Sequence, residues 1–240
     1  MPAKLHWLKP TDPPDSFPDP HLALTNPDGL LAVGGDLSIP RLLAAYRGGI
    51  FPWYQDDQPI MWWSPNPRAV LFPAELHISR SLRRTLRQNR FSVSIDCDFS
   101  GVVSGCADSR SESGTWITSE MASAYEALHA HEHAHSVEVW EDEKLVGGLY
   151  GINIGRVFFG ESMFSRADNT SKIALVHLVA VCRQLGIQLI DCQVASAHLA
   201  SLGSRQIPRT KFIDLLQRYT QYPSPVSWGH AHRKTAELLA

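Results

Sequence analysis

The chain has 240 residues, of which 44% are hydrophobic and 19% are charged, and this composition predicts a folded globular protein rather than a disordered one. The longest nearly apolar run, residues 173–182, is much shorter than the ~20 residues that a membrane-spanning helix needs. The formal net charge of −2 argues against a protein that covers nucleic acid with its whole surface, but it is compatible with a local basic site.

The N-terminus and the cysteines narrow the class of protein further. The beginning of the chain lacks the apolar stretch of a secretory signal, so we expect a cytoplasmic protein with no membrane partner. The four cysteines show no CxxC pair and no zinc-ribbon spacing, which predicts free thiols and no metal site. Nothing in the sequence suggests a coiled coil or a repeated interface, and we expect a monomer.

Proline usage divides the sequence into two parts. Thirteen of the 16 prolines lie at or before Pro73, which predicts a loop-rich N-terminal region with short elements. One helix is expected there, with Pro40 near its start and Gly48 at its end. We place a boundary in residues 62–68 and predict a small Pro-rich N-terminal domain (1–65) followed by a larger domain (66–240).

The larger part alternates between helical and strand patterns. A helix with Ser79 as N-cap is predicted at 79–89, and a meander of three strands at 137–140, 144–154 and 156–164. Further strands are predicted at 91–96 and 187–193, and further helices at 100–107, 119–131, 170–185, 196–202 and 209–219. This order predicts an α+β fold in which helices flank a mixed, mostly antiparallel sheet.

The helix at 79–89 carries an arginine face. Arg80, Arg83, Arg84 and Arg87 follow the spacing i, i+3, i+4, i+7, and no acidic residue occurs between Glu75 and Asp96. A solvated face is the ordinary explanation of a charge run, but such a face usually carries compensating acids one turn away. Guanidinium groups also bind phosphate through paired hydrogen bonds, so the pattern favours contact with a phosphate backbone.

Two acidic positions interrupt apolar strands. Asp191 and Gln193 share one face of the strand at 187–193, and Glu161 lies in an apolar part of the meander. A strand-end acid that caps a turn is the alternative for Asp191. Because a buried charge needs a partner, two acids on adjacent strands predict a site that receives a cation.

The tryptophans and a histidine run allow two interpretations each. Tryptophans at 53, 62, 63 and 116 either fill an irregular core or stack on bases, and their spacing alone favours the core. Histidines recur at every second position from 129 to 135. This run follows a helical pattern, so we expect it to fray into solvent rather than to bind a metal.

These segments together resemble one family over nearly the whole chain, the bacterial leucyl/phenylalanyl-tRNA–protein transferases. The resemblance is carried by FPDP (17–20), GLLAVGGDLS (29–38), YRGGIFPWY (46–54), WWSPNPRAVL (62–71), GTWI (114–117), LVGGLYG (145–151), GESMFSR (160–166), LIDCQ (189–193) and ASLGSRQIPR (200–209). It implies transfer of Leu or Phe, less readily Met, from aminoacyl-tRNA to proteins with N-terminal Arg or Lys, which marks them for proteolysis. It also implies a GNAT-like acyltransferase domain that needs neither ATP nor a metal or other cofactor.

The resemblance further implies roles for individual residues. Asp191 and Gln193 become the catalytic pair, with Asp191 either drawing off the proton of the attacking amine through Gln193 or orienting that amine. Glu161, together with Asp191, would bind the acceptor peptide. The arginine face would bind the acceptor stem of the tRNA. Trp53 and Trp116 would stack on the terminal adenosine, which leaves Trp62 and Trp63 structural. The aminoacyl side-chain pocket would consist of Leu149, Phe158, Leu175, Leu178 and Ile190.

Two other functions compete with this hypothesis. An acyltransferase of the same fold that uses coenzyme A would carry a glycine-rich loop before the long helix, whereas residues 165–172 read SRADNTSK. An RNA-binding module without activity would explain the arginine face but not Glu161, Asp191 and Gln193. Transfer of another activated acyl group is therefore the stronger alternative.

Overall fold

The computed structural model describes residues 5–108, 117–225, 227–229 and 233–239. The helices are α1 (Ile39–Arg47), α2 (Arg80–Arg87), α3 (Phe99–Asp108), α4 (Ser119–Ala130), α5 (Thr170–Leu185), α6 (Ala197–Ala200) and α7 (Arg209–Tyr219). The strands are β1 (His6–Leu8), β2 (Leu30–Gly34), β3 (Phe51–Pro52), β4 (Met61–Trp63), β5 (Arg68–Leu71), β6 (Ser92–Ile95), β7 (Ala134–Glu141), β8 (Lys144–Ile154), β9 (Val157–Ser165), β10 (Leu189–Gln193), β11 (Arg205–Ile207) and β12 (Arg233–Lys234). Short 3₁₀ helices lie at Pro20–Leu22, Pro73–Glu75 and Thr235–Leu239.

The described strands form two sheets. Four N-terminal strands make a small sheet in the order β1-β2-β4-β3, and the other eight follow the order β11-β5-β10-β9-β8-β7-β6-β12. In the large sheet, β9 and β10 run parallel and the remaining neighbours are antiparallel. This confirms the predicted α+β class and the mixed, mostly antiparallel sheet.

Helices cover both faces of the large sheet. Leu149 of β8 packs in the cluster that contains the apolar side of α5, whereas its neighbour Tyr150 packs in the cluster that contains residues of α3 and α4. This division follows from the alternation of side chains along a strand. The second cluster also includes Tyr46 of α1 and Trp62 of β4, so the small sheet shares a core with the large one. The chain changes sheet between β4 and β5, and the division into domains at residue 65 stays a prediction.

Local sequence signals explain where the principal helices begin and end. The Ser79 side chain accepts a hydrogen bond from the Leu82 N–H at the start of α2, and Thr118 caps α4 in the same way at Met121. Helix α5 ends at Gly186, which adopts a left-handed conformation with φ of 73°. The predicted ends of these helices are therefore confirmed to within about a turn.

Gly151 allows β9 to approach β8 closely. A Cβ atom there would lie 2.1 Å from the Phe159 carbonyl oxygen and 2.6 Å from the Phe158 ring. The β8–β9 register shifts beside this residue, between Tyr150 and Gly151. A residue without a side chain is thus required at this bulge.

The expectation that the histidine run frays into solvent is right for His131, which is exposed in the turn after α4, but wrong for His135. Strand β7 begins at Ala134 rather than at residue 137, so His135 lies inside the sheet, where its Nδ1 is 2.7 Å from an Asp96 carboxylate oxygen. His135 also stacks on Trp228, and His129 stacks on Phe99 with ring centroids 4.2 Å apart. Aromatic stacking and strand pairing outweigh the helical pattern of the sequence. Among the residues that the structure describes, no helix is long and apolar enough to cross a membrane.

Candidate active site

The large sheet opens between its two parallel strands. Strand β10 pairs with β9 from Leu189, opposite Val157, to Asp191, opposite Phe159. Beyond that point β9 continues to Ser165 on the β8 side. A cavity of about 550 Å³ lies at this opening and is bounded by both strands and by α5.

Most of the residues that line the cavity are apolar. The five residues predicted to form a side-chain pocket all line it, namely Leu149, Phe158, Leu175, Leu178 and Ile190. They come from β8, β9, α5 and β10, which explains how residues distant in sequence meet here. Such a lining fits a branched aliphatic or aromatic side chain.

The tryptophans divide between the cavity and the core. Trp53 lines the cavity and is 43% exposed, and its backbone carbonyl accepts a hydrogen bond from the Trp63 indole. Trp62 is fully buried, with its ring edge against Phe17 and its N–H on the Gly34 carbonyl. The exposed indole of Trp53 and the buried indole of Trp62 thus have different surroundings, and their roles stay predictions. Trp116 lies outside the described residues.

Asp191 is buried in an ion pair. Its two carboxylate oxygens accept hydrogen bonds from Nε and Nη2 of Arg68, at 2.8 and 2.6 Å, and neither side chain has exposed surface. Arg68 also donates to the Gly49 carbonyl at 3.1 Å, and its guanidinium lies over the rings of Phe51 and Phe212. The predicted cation for this acid is therefore the chain's own Arg68.

Gln193 connects Asp191 to Glu161. The register of β10 against β5 shifts between Asp191 and Gln193, and Gln193 has φ of 60°, a left-handed conformation that costs about 1–3 kcal/mol. Its backbone N–H donates to Asp191 Oδ1 at 2.9 Å, and its side-chain amide donates to Glu161 Oε1 at 2.9 Å. The bulge thus turns the Gln193 side chain toward the second acid.

Glu161 lines the cavity beside two tyrosines. Its Oε2 accepts a hydrogen bond of 2.6 Å from the Tyr125 hydroxyl, and that hydroxyl lies 2.9 Å from the hydroxyl of Tyr46. Burial raises the pKa of Glu161 to about 7, against the opposing effect of the tyrosine hydrogen bonds. Burial, followed by the charge of Glu161, also raises the pKa of Tyr125 well above 10. Glu161 is therefore a carboxyl group that changes charge near neutral pH.

These side chains form one series of hydrogen bonds that begins in α1 and ends at Gly49, two residues after that helix. It runs from Tyr46 through Tyr125, Glu161, Gln193, Asp191 and Arg68 to the Gly49 carbonyl, and we call it the polar circuit. The sequence predicts its central acids and Gln193 but not Arg68 or either tyrosine. An arginine at the start of the apolar strand RAVL is the available signal, because a buried guanidinium needs an acid.

The arginine face of α2 lies outside the polar circuit. Arg80, Arg83, Arg84 and Arg87 are all exposed, while Leu82 and Leu86 hold the helix in the core cluster of α5. Within the described ranges none of these four arginines forms an ion pair, although the nearby Arg90 pairs with Glu141. The described residues also contain no cluster of three or more His, Cys, Asp or Glu side chains that could hold a metal.

Comparison with known proteins assigns nearly the whole chain to one family. Residues 70–217 match the family model described as leucyl/phenylalanyl-tRNA protein transferase, and residues 35–66 match the N-terminal domain of the same proteins. A leucyl/phenylalanyl-tRNA–protein transferase of Azotobacter vinelandii is 59% identical over 89% of this chain and 95% of its own length. One from Pseudomonas aeruginosa is 58% identical over 91% of this chain and 96% of its own.

Solved structures add little to this result. The structure of L-PGS from Bacillus licheniformis aligns with 69% of this chain and 53% of its own, at 8% identity and a TM-score of 0.41. That similarity is too low to support a conclusion about fold or function.

Proposed function

The chain belongs to the leucyl/phenylalanyl-tRNA–protein transferase family, and from that premise we propose the reaction that it performs. It is an enzyme that transfers an aminoacyl group from tRNA to protein. In our proposal it moves leucine or phenylalanine, and less readily methionine, onto the α-amino group of proteins that begin with arginine or lysine. The product then carries an N-terminal residue that directs it to proteolysis.

The aminoacyl end of the donor occupies the apolar cavity. Leu149, Phe158, Leu175, Leu178 and Ile190 surround the leucyl or phenylalanyl side chain, and the cavity of about 550 Å³ is large enough for it. Trp53, which lines the cavity, stacks on the terminal adenosine. The family resemblance assigns the second stacking role to Trp116. The ester bond to the ribose supplies the driving force, so the reaction needs no ATP, metal or other cofactor.

The acceptor peptide approaches the polar side of the same cavity. Glu161 attracts its cationic N-terminal residue, because Asp191 is already paired with Arg68. Asp191 and Gln193 lie where the acceptor amine meets the ester. One observation carries this proposal. Gln193 and Glu161, joined by a hydrogen bond of 2.9 Å, line the same cavity as the apolar residues of the predicted pocket. An acyl group and an amine can therefore be held next to each other.

The tRNA body contacts the arginine face. Arg80, Arg83, Arg84 and Arg87 are exposed cations on one side of α2, and phosphate is the ligand that such a set binds best. These contacts would set affinity without reading sequence. We propose that the protein acts as a monomer in the cytoplasm, where charged tRNA occurs, and that its larger part is a GNAT-like acyltransferase unit, which the α5–β10 order and the opening of the sheet support.

The direct test is transfer of radiolabel from Leu-tRNA or Phe-tRNA. We expect label in a peptide that begins with arginine and none in the matched peptide that begins with alanine. Absence of label from the arginine peptide would refute the proposal. Isothermal titration with acetyl-coenzyme A tests the other acyltransferase hypothesis, and tight binding would favour it.

A further inference from the structure

The carboxylate of Asp191 is fully engaged by partners within the protein. Both of its oxygens are engaged by the Arg68 fork, Oδ1 also accepts from the Gln193 N–H, and the side chain has no exposed surface. Protonation of Asp191 would leave the guanidinium of Arg68 buried opposite a neutral group. Such an uncompensated buried charge is strongly unfavourable.

Arg68 is as firmly held as Asp191. Its third hydrogen bond goes to the Gly49 carbonyl, and the rings of Phe51 and Phe212 lie 4.7 and 4.6 Å from its guanidinium carbon. The pair is therefore a fixed, neutral unit. Asp191 also binds the Gln193 backbone N–H, and the pair thereby holds Gln193 in the left-handed conformation.

Glu161 differs from Asp191 in its partners. Both residues line the cavity, but Glu161 forms no ion pair with a described residue. Its hydrogen-bond donors among the described residues are neutral groups, the hydroxyls of Tyr125 and Tyr46 and the Gln193 amide. Burial raises the pKa of this carboxyl to about 7. A general base works best when its pKa lies near the working pH, and Glu161 meets that condition.

From this contrast we infer that Glu161 takes the proton of the acceptor's α-ammonium group, and that Asp191 and Arg68 act as a fixed anchor that positions Gln193 beside it. The inference rests on the proposed function, because it assigns roles within the same site. It makes Glu161 a catalytic residue and Arg68 a positioning residue.

Atoms and protons balance in this reaction. The ammonium gives one proton to Glu161, and the neutral amine attacks the ester carbonyl carbon, so that a C–N bond forms. The bond between that carbon and the ribose oxygen breaks, and the second proton released by nitrogen passes to the leaving ribose oxygen. Glu161 afterwards releases its proton to water.

The other titratable and charged groups around Glu161 do not obscure its titration. Those that act on it are Tyr46 of α1, Tyr125 of α4, Asp191 of β10 and Arg68 of β5. Burial raises the pKa of Tyr46 and of Tyr125 well above 10. His198 lines the same cavity, and burial lowers its pKa. Between pH 7 and 9, the relevant change besides Glu161 is that of the acceptor amine, whose ordinary pKa is about 8.

The first test measures kcat of the full chain and of Glu161→Gln with an arginine-initiated peptide at pH 7 and pH 9. We expect Glu161→Gln to reduce kcat about a hundredfold at pH 7, the usual contribution of a general base. This deficit should shrink about tenfold by pH 9, because the amine then gives its proton to water. A deficit that is unchanged or larger at pH 9 would overturn the inference, since it would mean that Glu161 only attracts the permanently charged arginine side chain.

The second test asks whether Asp191 is needed as an ionisable group. Asp191→Asn leaves Arg68 unpaired, whereas Asp191→Asn combined with Arg68→Met removes both charges and keeps the amide oxygen for the Gln193 N–H. We expect the double variant to be at least tenfold more active than Asp191→Asn. A double variant that melts like the unaltered protein but is as inactive as Asp191→Asn would show that the carboxylate itself is required. If neither variant folds, the pH comparison of Glu161→Gln still decides. Failure of transfer by the unaltered chain would instead refute the proposed function.

Discussion

Three buried arginines and the arginines of α2 differ in what their guanidinium groups contact. Arg68 makes three hydrogen bonds inside the protein, and Arg41, 1% exposed, binds Asp36 and the Asp12 carbonyl. Arg209 similarly donates to the Ser64 carbonyl. The four arginines of α2, by contrast, are exposed and carry no ion pair with another described residue.

This difference separates two uses of one residue type. A buried arginine directs its donors to the protein and so fixes an acid or a carbonyl in place. The guanidinium groups of an exposed row of arginines repel one another, and a bound anion removes this repulsion. The net charge of −2 conceals this division, because Arg68 and Arg41 pair with acids of the protein while the exposed arginines stay available to a ligand.

The largest expected effect is on stability, when one arginine of each kind is replaced. Arg68→Met should lower the free energy of unfolding by about 3–5 kcal/mol, because it leaves Asp191 buried without its cation. Arg83→Met on the exposed face of α2 is the matched control and should change it by no more than about 0.5 kcal/mol. Denaturant unfolding of both variants provides the measurement. Equal destabilisation would remove the distinction between the two kinds of arginine.

A second prediction concerns pH. The pKa of Glu161 rises from 4.5 in the unfolded chain to about 7 in the folded protein, so the folded protein keeps a proton that the unfolded chain releases. The stability due to that proton, about 3 kcal/mol, is fully present below pH 4.5 and is lost as pH rises through 7. Glu161→Gln should therefore flatten the decline of the unfolding free energy between pH 4.5 and 7.

Glu126→Gln is the control for this measurement, because Glu126 is exposed on α4. It should leave the pH dependence of unfolding as it is in the unaltered chain. An unaltered decline in Glu161→Gln would show that the carboxyl group does not titrate in this range.

The smallest expected effect is on tRNA binding. Reversing two charges of α2, with Arg83→Glu and Arg84→Glu together, should raise the Michaelis constant for aminoacyl-tRNA about tenfold, or about 1.4 kcal/mol. The salt dependence of this constant should also weaken, by about one power of salt concentration for each phosphate that the variant no longer neutralises. Charge reversal at Lys211 and Arg218, exposed on α7, is the matched control. Equal effects of the two double variants would mean that only overall charge matters.

Periodicity is sufficient to predict most of the fold. The long apolar stripe and Gly186 predict α5, and the alternation of the meander predicts β8 and β9 to within three residues. These signals are local, because each depends on side chains a few positions apart. The start of β7 does not follow from such a signal, because His135 finds its partner, Asp96, outside its own strand.

The active site is predictable only in part, because several of its contacts join residues that are distant in the sequence. Asp191, Gln193 and Glu161 stand out as polar residues in apolar strands, and adjacent strands bring them together. Arg68 lies 123 positions from Asp191 in the sequence. Its Pro-rich surroundings suggest a boundary between domains rather than a buried ion pair. Tyr46 and Tyr125 resemble ordinary core residues, because nothing local shows which carboxylate a buried hydroxyl will meet.

The polar circuit also makes catalytic activity depend on the packing of α1 against the large sheet. It starts at Tyr46 and ends at Gly49, so both ends are fixed within one turn of chain at the end of α1. If α1 separates from the large sheet, even briefly, Glu161 and Asp191 lose their supports at the same moment. On mild heating, the protection of the α1 amide protons and the catalytic activity should then disappear together, before the remaining strands of the large sheet exchange.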